Sequence, residues 1–240
     1  MIGAFLNALG ILLGAIYGLT ARLPVSARTQ AFFKSALLAC TVWYGVRLVY
    51  VGLPGTFLDA VKQLLIAVLA LVVGRLLGKM LQLQKISNRL GRHASGLITA
   101  AQKGSAAARN GGLTAATILF CAAPLGLIGA VADGLTGYFY LLAVKAVMEG
   151  LAMVSFARMF RWPVALAALP VFLFLNCLAL AVHRFALPWL EAHALVGAVN
   201  VAIGLLACIM SLVILEIRRV ELANYLPSLA LAPLLTWWLL

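Results

Sequence analysis

The sequence predicts an all-α membrane protein: a polytopic bundle of about eight transmembrane helices, forming a single domain over residues 1–240. Three observations lead there. Of the 240 residues, 65% are hydrophobic and only 10% charged, with mean hydropathy of +1.11, which is too apolar for a chain dissolved in water. Eight charge-poor runs are long enough to cross roughly 30 Å of hydrocarbon at about 1.5 Å per residue. Basic residues, finally, are dense in every second connection and sparse in the others, as when a bilayer sorts loops by charge.

The first run, Ile2 to Thr20, has no basic segment before it and no A-x-A cleavage site after it, so it reads as a retained helix and not a signal peptide. Its Gly3, Asn7, Gly10, Gly14 and Gly18 fall at steps of four, three, four and four, which stacks them on one face. Such a stripe admits a second backbone at close range, within a subunit or between copies in a homo-oligomer. Asn7, polar in mid-stripe, is a candidate for more than packing. The second run is Ser35 to Val51. The third, Phe57 to Met80, is uncharged only from Gln63 to Gly74, with Lys62 and Lys79 placed to snorkel to opposite interfaces. Gly74 and Gly78 mark a second close contact. Runs four (Gly112 to Ala132) and six (Pro163 to Val182) carry Pro124 and Pro170, and an internal proline frees backbone carbonyls, usually with modest distortion. Run five, Tyr138 to Ala157, holds two charges. Asn176 in run six and Asn200 in run seven (Ala194 to Leu215) either bridge helices or line a polar route. The eighth, Leu222 to Leu240, contains Pro227 and Pro233 and is read as broken or re-entrant.

A net charge of +12 would suggest nucleic acid for a soluble protein, but its distribution points to lipid, with no nucleic-acid partner. Fourteen of the 18 lysines and arginines fall in connections one, three, five and seven, among them Arg22, Lys103, Arg109, Arg218 and Arg219. Only Arg47, Lys62 and Arg184 lie on the other side, and Lys145 lies in the membrane. This bias expects the odd connections in the cytoplasm and both termini outside a bacterial inner membrane. The one long connection, Gln82 to Asn110, alternates basic residues with Ile86, Leu90, Leu97 and Ile98 before ending in "KGSAAARNGG". It reads as an interfacial amphipathic helix followed by a flexible linker, with anionic lipid its partner, or as a disordered basic loop that enforces topology.

Two stretches suggest an internal repeat of helix pairs two-three and four-five. "LIAVLALVVG" (65–74) and "LLAVKAVMEG" (141–150) agree at five of ten positions, placing Leu69 opposite Lys145 and Val73 opposite Glu149. The charges therefore depart from a frame that works with apolar residues. Each costs roughly 2.5 to 3.5 kcal/mol at mid-bilayer, and at four residues apart they share a face and recover part of that cost as an ion pair. The pair either fixes helix rotation or lines a polar cavity or ion path; intramembrane ionisable residues usually mark such paths. Asp133 ends the fourth run in "ADGLTG" (132–137), where Gly134 and Gly137 bracket a tight turn, and is a turn residue or a further member of the path.

His93, His183 and His193 show no ligand spacing, and the four cysteines lie apart within apolar runs, read as buried free thiols, so no metal or other cofactor is expected. No phosphate-binding, dinucleotide or hydrolase motif appears, and no enzyme is expected.

Gly3, Asn7, Ile11 and Gly14, "ILFC" (118–121), "DGLTG" (133–137), Lys145 with Glu149-Gly150, and "ANYLPSLALAPLL" (223–235) together resemble the YqgA/YdfK-like family of bacterial inner-membrane proteins, a family of unknown function. The third and fourth pieces are similar to that family's D-G-L-S-G and K-S-x-x-D-G. Ala146 departs from the family's small hydroxyl after the lysine, and the acids that often flank D-G-L-S-G are missing, which puts in doubt any cation site that needs them. The resemblance implies a fold and no mechanism. The reading is a transporter or channel for a small solute or ion, using Asp133, Lys145, Glu149, Asn7 and Asn200. Its rival is a non-transporting scaffold or sensor whose basic connection docks lipid or a partner.

Overall fold

A computed structural model of the chain describes residues 2–21, 26–102, 111–214 and 220–240. Arg22, Lys103, Arg109, Asn110, Arg218 and Arg219, and with them most of the expected linker, lie outside the described residues. No strand occurs among the described ones. The order is α1 (Ile2–Thr20), α2 (Ala27–Gly52), α3 (Phe57–Met80), α4 (Leu83–Gln102), α5 (Gly112–Ala122), α6 (Pro124–Thr136), α7 (Tyr140–Phe160), a 3-10 helix (Trp162–Ala167), α8 (Ala168–Ala181), a π turn (Val182–Ala186), α9 (Leu187–Ala192), α10 (Val196–Ile214), a 3-10 helix (Leu222–Tyr225) and α11 (Ser228–Leu239).

Six of these segments are long and apolar enough to cross a membrane: α1, α2, α3, α7, the continuous Trp162–Ala192 and α10. The α5–α6 pair, bent by 58°, is a seventh if counted as one span. Helix α2 begins well before Ser35 because the Ser26 side chain accepts the Thr29 N–H at 3.1 Å and caps the helix. The eighth run is divided at Pro227 into a 3-10 turn and a 12-residue helix. It still follows α3 in the opposite direction: Asn224 lies against Gly78, Ser228 against Gly74, and Gln63 Nε2 donates to Thr236 Oγ1 at 3.1 Å. From Gly78 back to Gln63 that is about 22 Å along the helix axis.

Glycines set the closest helix contacts. A Cβ at Gly10 would lie 2.5 Å from the Ala146 carbonyl oxygen, one at Gly14 would overlap that of Gly150, and one at Gly18 would meet that of Val154. Numbers rise together on both helices, so α1 and α7 run parallel, backbone against backbone. Gly3 continues the stripe against Leu142. A second such contact joins α2 to α10, antiparallel, with Gly45 against Gly204 and Gly52 against Gly197. The sequence carried its signal, the seven-residue spacing common to both glycine pairs.

The described ends of the odd-numbered connections lie together at one end of the bundle. There Arg158 Nη2 donates to the Ala21 carbonyl at 3.0 Å, the Gln84 N–H donates to Asn224 Oδ1 at 3.0 Å, and Gly112 packs on Phe160. At the other end Tyr138 Oη donates to the Tyr44 carbonyl at 2.9 Å, and the Arg47 guanidinium lies 6.0 Å from the centre of the Tyr140 ring. Burial pushes the Tyr138 phenol up to about 12, which keeps it protonated as a donor.

Two expectations change. Cys40 and Cys177 are exposed and Cys121 and Cys208 half-buried, because a thiol on an apolar run is as stable facing lipid as facing the core. Gly137 alone makes the turn after Asp133, in the left-handed region at φ 69°, while Gly134 stays helical with its Cα against the Ala179 carbonyl. The aligned positions of the proposed repeat sit in opposite surroundings: Leu69 is 45% exposed, whereas Lys145 is 1% exposed.

Gly14→Leu forces the Gly150 carbonyl away and should cut the monodisperse yield in detergent several-fold. Gly96→Ala in α4, with open space around its Cα, should leave the stability unchanged or raised by up to about 1 kcal/mol of helix propensity, read as an equal or higher melting temperature. Parental behaviour of Gly14→Leu would mean the α1–α7 seam does not form.

Candidate functional site

Positions 145 and 149 lie one turn apart on α7, and the face they share is the one turned to the bundle interior. Lys145 Nζ pairs with Glu149 Oε1. The second carboxylate oxygen, Oε2, accepts from Asn7 Nδ2 at 2.9 Å across the α1–α7 seam. Asn7 is 0% exposed, Lys145 1% and Glu149 6%. The backbone-to-backbone approach of the two helices leaves no water layer between them, so these groups must satisfy one another. Lys145 lies about 8 Å and Glu149 about 14 Å along an α7 of some 30 Å, so the carboxylate is near the middle of that helix.

The lysine stem rests on a break. Helix α5 ends at Ala122, Ala123 is extended at φ −66° and ψ 120°, and α6 restarts at Pro124, which has no N–H to continue the ladder. A carbonyl end and an N–H end therefore face each other across one residue, each with groups its own helix does not satisfy. Of the freed donors, the Gly126 N–H turns back to the Ala123 carbonyl at 2.9 Å. Gly126 itself makes room for the cation: a Cβ there would lie 2.7 Å from Lys145 Cε. Neither the depth of this break nor the role of Gly126 was evident from the residues alone. The nearest signals were Pro124 and the glycine two residues beyond it.

Asp133, in the last turn of α6, is 3% exposed, and its Oδ2 accepts the Gly3 N–H at 3.1 Å, where a carboxylate complements the start of α1. It therefore stands one turn of α1, about 6 Å, from Asn7. Asn200 is elsewhere. It is buried at the α2–α10 seam with its Cβ 3.0 Å from where Gly52 would carry one. Among the described residues the structure thus joins Asn7, Lys145 and Glu149, sets Asp133 beside them along α1, and leaves Asn200 in a separate contact. The Oδ1 atoms of Asn7 and Asn200 are buried without a hydrogen-bond partner among the described residues. The Asn7 amide is oriented by the network, since its donor nitrogen must face the carboxylate.

Three hollows approach the cluster. One of ≈ 380 Å³ opens at the basic end between Lys34, Ser155 and Arg158 and reaches Met148, the neighbour of Glu149. Another of ≈ 430 Å³ lies under α4 and reaches Cys121, Ala122 and Pro124 at the break. The third, an apolar groove of ≈ 600 Å³, runs along the seam past Gly10, Ala146 and Gly150. No group of three His, Cys, Asp or Glu side chains that could hold a metal occurs among the described residues.

Helix α1 buries Asn7 while leaving Phe5 60% and Leu13 58% exposed, and large apolar side chains outside with polar ones inside define a polytopic helical membrane protein. Within that class, the chain belongs to the family described as "Protein of unknown function (DUF554)", whose model matches residues 2–237. It is 30% identical over 244 residues to the "Uncharacterized protein YqgA" of Escherichia coli (strain K12), covering 99% of this chain and 97% of that one. It is 26% identical over 235 residues to the "Uncharacterized membrane protein YdfK" of Bacillus subtilis (strain 168), covering 97% and 94%. No solved structure matches.

Removing one charge strands the other in a dry site, so Lys145→Met or Glu149→Leu alone should cost roughly 3 to 5 kcal/mol. The Lys145→Met/Glu149→Leu pair still orphans the Asn7 amide, at about 1 to 3 kcal/mol. Adding Asn7→Leu should recover most of that. Melting temperatures of the single, double and triple variants give the test; single variants as stable as the parent would show that the cluster is wet.

Proposed function

We propose that the protein is a carrier for a small ion or polar solute in a bacterial inner membrane, and that the Lys145–Glu149–Asn7 cluster is its occluded site. The observation that carries this reading is the placement of a fully buried ion pair against a broken span. Intramembrane charges are expensive and concentrate where a solute or proton passes, and discontinuous helices supply the unsatisfied backbone groups that bind one. An incoming anion competes with Glu149 for Lys145, and a cation competes with Lys145 for Glu149 and the unpaired Asn7 Oδ1; either parts the pair. Asp133 lies on the same line along α1 and serves the approach from its side. Asn200 remains a polar helper at the other glycine seam. A cluster closed to water suits a carrier that opens by turns better than a continuous pore.

Topology follows the same reading. An order of eight alternating crossings calls for α1 parallel to α7, α2 antiparallel to α10 and α3 antiparallel to the last segment, and the directions of these three pairs support that order. With fourteen basic residues on one side, that side is cytoplasmic and both termini are outside.

Proteoliposomes on a solid-supported membrane should give transient currents on a jump of at least one common inorganic ion or proton concentration. The folded triple variant at Asn7, Lys145 and Glu149 should give less than a tenth of the parental current. Equal currents from parent and triple variant would remove these residues from any pathway. Topology reporters fused at Asn110 and after Leu240 should read opposite sides, and matching readings would refute the eight-crossing arrangement.

A further inference from the structure

Helix α4 is held to the bundle by one face: Ala94 is fully buried, Leu83, Ser87, Gly91 and Ile98 are partly so, and Gln84 bonds both the backbone N–H of Ala223 and the amide of Asn224. Its remaining surface divides in two. Lys85, Arg89 and Arg92 project from one exposed stripe, while Ile86 and Leu90, 56% and 39% exposed, form another. A hollow accompanies each stripe. The apolar chamber of ≈ 430 Å³ is lined by Leu83, Ile86, Leu90, Ile118, Leu127 and Phe174 among others. The second hollow, ≈ 730 Å³, is lined by Lys85, Asn88, Arg89, Arg92 and Ser95. Ser87 lines both, so they adjoin. Among the described residues neither lining contains an acid.

An apolar chamber joined to a three-cation hollow beside an amphipathic helix matches an amphiphile with an anionic head and a hydrocarbon tail. We infer that α4 and the α5–α6 break form a specific site for one anionic phospholipid. Lys85, Arg89 and Arg92 hold the phosphate-bearing headgroup, and one acyl chain fills the chamber as far as Pro124. A free phosphate uses only the cations and leaves the apolar chamber unoccupied, which is why a lipid is the assigned occupant. A tail ending at Pro124 braces the broken span at the residue where it bends. The site stands independently of the transport reading, since it needs only the membrane and these two hollows.

Native mass spectrometry of the full chain, released from micelles containing equal phosphatidylglycerol and phosphatidylcholine, reads the site directly. The parent should retain one phosphatidylglycerol with at least tenfold preference, undiminished by millimolar inorganic phosphate. Lys85→Gln/Arg89→Gln/Arg92→Gln should bring the preference within twofold of unity. Leu127→Trp, which fills the chamber with every charge in place, should lower retention at least fivefold. Equal retention of both lipids by the parent, a preference that survives neutralisation in a folded variant, or displacement by inorganic phosphate would each overturn the assignment. The comparison of lipids on the parent needs no variant, so poor folding of either mutant leaves the test decisive.

Discussion

The close seam between α1 and α7 is the constraint on which the rest of the structure depends. With Gly10, Gly14 and Gly18 against carbonyls of the facing helix, neither water nor a long side chain fits between the two backbones. Anything polar on that seam must find its partner there. Asn7 and Glu149 do so at 2.9 Å, and Lys145 closes the set. Replacing glycine by a larger residue would thus act on the charges as well as on packing, because it would separate Asn7 from the carboxylate it serves.

The same seam gives the break its meaning. A lysine stem needs room, and it takes it from Gly126, the third residue of a helix that restarts at Pro124. Three elements therefore share one buried polar region: α1 contributes an amide, α7 an ion pair and the α5–α6 junction the space for the lysine stem. Around it the bundle is ordinary for a bilayer, with apolar faces outward and a second glycine contact between α2 and α10. The described ends of the basic connections and α4 lie together at one end, where charge belongs to the headgroup region.

Much of this was legible in the residues. Spans were readable because lipid demands long uncharged runs, and the glycine stripe because its spacing repeats on one face. Lys145 and Glu149 stood out because nothing near them is polar. Less visible was anything that depends on which helices meet. The Asn7–Glu149 bond joins residues 142 apart and requires the first and fifth runs to lie parallel, which no local pattern states. Pro124 signalled distortion but not a 58° bend, since membrane helices often absorb a proline. Cysteines on apolar runs look alike whether they face lipid or core, and Cys40 and Cys177 proved to face outward. Asp133 stayed open between a turn residue and a member of the path because its partner, the first turn of α1, lies at the other end of the chain.

If the Lys145–Glu149–Asn7 cluster is the occluded site proposed above, the order of charges along α7 matters as well as their mutual neutrality. Charge reversal tests it most directly. In Lys145→Glu/Glu149→Lys the ion pair survives, in the order that favours a helix; the Asn7 amide can turn its oxygen to the new ammonium, and a carboxylate now faces the start of α6. The reversed protein should melt within a few degrees of the parent yet carry less than a tenth of its ion-jump current. A reversed protein that folds and retains the parental current would contradict the account.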